Sequence, residues 1–178
     1  MSLDSTTAPQ IPDDDPRRTA TAVNAGRDDI PHISLAGDTY TILLSGEDTA
    51  GRFTLIDMHV PPSGGPPPHR HDFEETFTVL DGEIEVTFRG ETTTAPAGTT
   101  VNVPANAPHS FGNHSHRAAR LLCICSPSGQ EEFFLEAGDL VVDRTAPPPQ
   151  LSDSAIAERR TKAVALAPKY VTEFVQPA

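Results

Sequence analysis

Basic residues are scarce in this sequence. Only 13 lysines and arginines stand against 25 aspartates and glutamates, giving a formal net charge of −12 at pH 7 and a pI near 4.8. A nucleic-acid binder needs a basic footprint to displace phosphate counterions, so no nucleic-acid partner is expected. Repulsion keeps such a chain off anionic membranes as well. Long apolar runs are also missing: none approaches the roughly 20 residues of a membrane span. The start, MSLDSTTAPQIPDDD, lacks the basic and apolar regions of a secretory signal, and a cytoplasmic location is expected. Cysteine is limited to Cys123 and Cys125. On an extended strand these lie roughly 6.6 Å apart on one face, which disfavours a mutual bridge and predicts buried reduced thiols. Glycine and proline, 12 and 18 of 178 residues, make a turn-rich chain below the level of low-complexity disorder. No helix-turn-helix precedes the β-rich region, which disfavours a transcriptional regulator.

What is present centres on His69 to Asn113. Side chains alternate faces along a strand. If His69 to Phe77 is one strand, then His69, His71, Phe73, Glu75 and Phe77 share a face, while Arg70, Asp72 and Glu74 project oppositely. His109 shares parity with Phe111 in a short run able to return alongside. Three imidazoles and one carboxylate then converge, a ligand set suited to one divalent Fe, Mn, Ni, Co, Cu or Zn ion and poorly suited to Ca or Mg.

The spacing H-x-H-x3-E-x6-G is carried by His69, His71, Glu75 and Gly82. The spacing G-x5-P-x-G-x2-H-x3-N is carried by Gly98, Pro104, His109 and Asn113, with Asn106 where a glycine is expected. Ser63 likewise replaces a glycine before the first motif. Both departures fall outside the ligand positions, and Asn tolerates positive φ. Together the two motifs resemble those of the cupin superfamily. The tail, P-x-G-x-E-E-F-F followed by a helix and a late tyrosine, is similar to small single-domain cupins of the quercetin 2,3-dioxygenase-like group.

Along the chain, residues 1–29 read as an arm, either a flexible tail or a segment lying along the barrel or a partner subunit. Residues 30–127 read as short strands, and 128–178 as a helical extension. TFTVL-DG-EIEVTF predicts a hairpin with a two-residue turn, pairing Val79 with Ile84, Phe77 with Val86 and Glu75 with Phe88. That pairing sets Glu75 in an apolar neighbourhood that favours a cation beside it. GQEEFFLEAGDL predicts a helix stopped near Gly138, and LSDSAIAERRTKAVALAPKY a second one capped by Ser152 and ended by Pro168. His32 and His59 are expected to be structural, and His114 and His116 to sit in a solvated loop. The fold expected is all-β: an antiparallel cupin-type barrel or jelly roll.

The resemblance implies a metal-dependent dioxygenase acting with O2 on a small enolisable or aromatic hydroxy compound. In that reading Glu75 is the general base, and Phe73, Phe77, Phe88 and Phe111 are candidate pocket residues. The alternatives are a cupin that holds a small ligand without turnover and a metal-dependent isomerase or lyase. A run apolar on both parities (Phe53 and Leu55; Ile56, Met58 and Val60) needs cover on both faces, from the C-terminal helices or a second subunit, and a homodimer is expected.

Overall fold

The structure, a computed structural model, describes residues 11–176. The first ten residues of the expected arm lie outside the described residues. Residues 11–29 form no helix or strand and are mostly exposed, with Arg18 donating to the Asp48 carbonyl at 3.1 Å.

The strands are β1 (His32–Leu35), β2 (Asp38–Leu44), β3 (Thr54–Val60), β4 (His69–His71), β5 (Glu74–Asp81), β6 (Glu83–Phe88), β7 (Glu91–Pro96), β8 (Thr100–Val103), β9 (His109–Gly112), β10 (Ala119–Ser126), β11 (Asp139–Leu140) and β12 (Thr172–Phe174). The helices are α1 (Gly46–Thr49), α2 (Gln130–Ala137) and α3 (Asp153–Leu166). One sheet has the order β11-β1-β2-β3-β10-β5-β8, and the other β12-β4-β9-β6-β7. Both are antiparallel, and together they form a jelly roll. Alternate residues of each strand meet between the sheets: Ile56, Met58 and Val60 of β3, Phe77 and Val79 of β5, Ile84 and Val86 of β6, and Leu121 of β10 are all buried. Each such side chain contributes about 1.5–3 kcal/mol by leaving water.

The expected hairpin does not form. β5 pairs with β10 and β8, and β6 with β7 and β9, so Asp81-Gly82 carries the chain from one sheet to the other. Phe77, Val79, Ile84 and Val86 still point at one core, but from opposite sides of it. Gly82 makes the corner possible. It sits at φ +73°, and a Cβ there would lie 2.9 Å from the Ala118 carbonyl oxygen. The single strand expected from His69 to Phe77 is likewise two, because the chain changes sheets at Asp72-Phe73. The in-out alternation survives that change: 69, 71, 73, 75 and 77 are buried, and 70, 72 and 74 are exposed.

Of the two faces of β3, the even one packs inward. The odd face holds Asp57, which is 1% exposed, accepts from Arg120 Nε at 2.8 Å and lies 3.7 Å from Arg144. Both helices of the C-terminal segment lie where their boundary residues place them. Gly138 follows α2, and the Ser152 side chain caps α3 by accepting from the Ala155 N–H. The same segment also supplies two strands the helical reading omitted, β11 and β12.

Ser63 and Asn106, which replace motif glycines, adopt φ 66° and 67°, the conformation glycine would supply. Asn113 is fully buried. Its amide donates to the carbonyls of Val60 (2.9 Å) and Arg117 (2.7 Å), and its oxygen accepts from the Ser115 N–H at 3.0 Å, clamping the turn after β9 to the end of β3. Asn113→Ala strands these groups, each costing about 1–3 kcal/mol if buried. A loss of about 3 kcal/mol is expected in urea unfolding, and a loss within error would show that water replaces the clamp.

Candidate metal centre

The site is assembled from both sheets. β4 is three residues long, held between β9, where His69 pairs with His109, and β12, where Thr172 pairs with His71 and Phe174 with His69. Three imidazoles therefore come from one sheet, and Glu75, on β5, faces them from the other. Ligand atoms of all four residues lie within 4.8 Å of one another, and all four residues are buried.

The backbone fixes the rings. His69 Nδ1 donates to the Pro67 carbonyl at 2.9 Å, His71 Nδ1 to Phe73 at 3.0 Å, and His109 Nδ1 to Ala107 at 2.9 Å. A carbonyl only accepts, so each Nδ1 carries the hydrogen, and a neutral ring presents its Nε2 lone pair. Phe73 stacks on His71 with ring centroids 3.7 Å apart. Glu75 Oε2 lies 3.2 Å from His71 Nε2 and 3.1 Å from His109 Nε2. Three acceptors facing one another in a buried space repel unless a cation lies among them, either protons on the rings or a metal. Imidazole and carboxylate donors, with backbone carbonyls holding each Nδ1–H, fit a divalent transition metal, and the cluster could hold one.

Charge balance follows the same lines. Burial alone would raise the Glu75 pKa, but hydrogen bonds from His109 and His71 outweigh it and hold the carboxylate below its ordinary range. Burial would lower that of His109, and the Glu75 hydrogen bond and charge reverse the sign. His69 lies farther from compensation, and burial, with the charge of His109, brings it down to about 4. In protein stripped of metal, the unfolded His69 ring titrates near 6.5 while the folded one stays neutral to about pH 4. The unfolded state binds more protons in that window, so stability falls as pH drops through it, by about 3 kcal/mol. The raised pKa of His109 acts above pH 6.5, where its contribution is lost as pH rises. Buried Asp38, raised to about 7, gains stability as pH falls through the same window, so the loss is read as a difference. In urea melts of chelated protein between about pH 6.5 and 4 the wild type should fall by about 3 kcal/mol relative to His69→Gln, and identical slopes would assign the effect elsewhere.

The site opens into a cavity of about 810 Å³ that His69 and Glu75 border. Phe111 is the one expected pocket phenylalanine on its wall; Phe73 covers His71, Phe77 is core, and Phe88 is the strand partner of His109. The remaining aromatic wall is Tyr40 with Phe133 and Phe134 of α2 and Phe174 of β12, none of which was singled out from sequence. The adjacent phenylalanines on an amphipathic helix were the available signal for α2. His32 bonds Thr41 and the Arg27 carbonyl, His59 is half-buried, and His114 and His116 are exposed. No helix among the described residues is long and apolar enough to cross a membrane.

Comparison with known proteins agrees with this architecture. Residues 56–125 match the family model described as "Cupin domain". Quercetin 2,3-dioxygenase of Bacillus subtilis (strain 168) is 30% identical over 139 residues, 78% of this chain and 41% of that one. Auxin-binding protein 1 of Arabidopsis thaliana is 30% identical over 122 residues, 64% of this chain and 58% of that one. The chain spans about half the length of the curated relatives it matches. Among solved structures, the polyketide cyclase RemF of Streptomyces resistomycificus superposes with a TM-score of 0.54 at 20% identity, covering 81% of this chain and 99% of that one. The jelly roll, the match over residues 56–125 and the two motifs identify a cupin domain in this chain.

Proposed function

We propose that this chain is a metal-dependent dioxygenase acting on a small enolisable or aromatic hydroxy compound. The observation that carries the reading is Glu75, a carboxylate that faces three oriented imidazoles and borders an aromatic-walled cavity; the similarity to quercetin 2,3-dioxygenase supports it. His69, His71, Glu75 and His109 would hold the divalent ion, which supplies Lewis acidity toward a substrate oxygen and, if redox-active, electron transfer to O2. The carbonyl-anchored Nδ1 atoms keep the three rings aimed inward. Oε2 of Glu75 lies between two imidazoles, and its Oε1 is free of them, so Oε1 takes the substrate hydroxyl proton. Phe111, Phe134 and Phe174 stack against a planar substrate and exclude water. The proposal includes a homodimer, to which the exposed Leu140 and Val142 offer apolar surface; light scattering decides it.

A second reading is a cupin that retains a small ligand without turnover, favoured by the similarity to auxin-binding protein 1. Elemental analysis of protein purified without chelators, followed by oxygen uptake with flavonols, catechols and diketones, separates the two. About one metal per chain with substrate-dependent O2 consumption is expected. Full metal loading with no turnover of any class would leave the binding reading.

A further inference from the structure

Glu75 has two oxygens, and the imidazoles face only one. Oε1 lies 3.4 Å from Cys123 Sγ. Cys125, the next residue on the same face of β10, places its Sγ 3.8 Å from that of Cys123, and its backbone is the direct strand partner of Glu75. Both thiols are free and buried, both border the cavity, and the ligand atoms of Cys123, Cys125 and Glu75 all lie within 4.8 Å of one another.

These separations suit shared coordination. Two sulfurs about 2.3 Å from one ion at the tetrahedral angle stand roughly 3.8 Å apart, and a sulfur and a carboxylate oxygen roughly 3.6 Å apart. A disulfide suits the pair poorly. β10 is held in extended register on both sides, by β3 and β5, which keeps the two Cα atoms near the upper limit of bridge geometry, roughly 6.6 Å.

We propose that Cys123, Cys125 and Oε1 of Glu75 form a second cation site, specific for a thiophilic d10 ion such as Zn²⁺ or Cd²⁺, with its fourth position toward the cavity. Thiolate donors exclude Mg²⁺ and Ca²⁺. On binding, each thiol releases its proton to solvent and the ion takes its place. Glu75 then joins two cations, one through each oxygen, and a thiophilic ion occupies space beside the substrate. The site requires no turnover to exist, but its ion would occupy the oxygen that the dioxygenase reading assigns to the substrate proton, so filling it should suppress turnover.

The chain has only these two cysteines, so ultraviolet thiolate-to-cadmium charge transfer can arise only from them. The test titrates the full chain, reduced and chelator-stripped, with Cd²⁺. Two equivalents per chain are expected, one of them with the charge-transfer band. Cys123→Ser and Cys125→Ser should each abolish the band and one equivalent, and His109→Ala should keep the band and lose the other. Wild-type protein with reduced thiols that binds one equivalent without a band overturns this site and leaves the histidine cluster standing. A single equivalent with the band that survives His109→Ala upholds this site and overturns the histidine cluster. The wild-type titration needs no variant, so a misfolded serine variant leaves it decisive.

Discussion

Alanine at His109 is expected to weaken metal binding by more than 100-fold. Losing a group that only hydrogen-bonds to a metal ligand costs about 10–100-fold, and here the candidate ligand itself is lost, the imidazole that lies 3.1 Å from Glu75 Oε2. Metal per chain after dialysis against a metal buffer, measured by mass spectrometry, checks this. His114→Ala is the control, a histidine 67% exposed on the loop after β9, and its occupancy should match wild type. Undiminished occupancy in His109→Ala would remove that residue from the ligand set.

Glutamine at Glu75 should separate binding from chemistry. The amide oxygen still offers a donor toward the cluster, so a large part of any bound metal should stay, whereas the carboxylate proposed to accept the substrate proton is gone. A fall in kcat on the order of 10²–10⁴-fold per bound metal is expected, with KM changing much less. Unaltered kcat would eliminate Glu75 as the base. A loss confined to metal content, with full activity per remaining ion, would make it a ligand only.

The parts of this molecule legible in its sequence were those set by short-range periodicity. Alternation placed His69, His71, Glu75 and Phe77 inward correctly even though the chain switches sheets between His71 and Glu74, because the bend at Asp72-Phe73 preserves the period of two. Ser152 and Gly138 marked helix ends because capping is a local hydrogen-bond problem. The hairpin failed for an equally physical reason. Asp-Gly between alternating runs serves a tight turn and a corner between sheets alike, and what decides is the clearance of Gly82 from Ala118 and Ala119, strand neighbours in space that lie over thirty residues away. The aromatic wall was out of reach for the same cause: Tyr40, Phe134 and Phe174 come from three distant segments. β12 is three residues, TEF, too short to show any period.

That last strand has a consequence for how the protein is made. β4 carries two candidate ligands on three residues, and one of its two neighbours in the sheet is β12, joined also by the Arg70–Glu173 ion pair. As the polypeptide emerges from the ribosome, the barrel strands through β10 can pair while one edge of β4 waits for residues about a hundred positions later. Contacts of such sequence separation form slowly, so His69 and His71 are among the last groups to be fixed in place. A nascent chain arrested before Thr172 would carry an assembled barrel with the two candidate ligands of β4 loosely held, so firm capture of a cation would wait for β12.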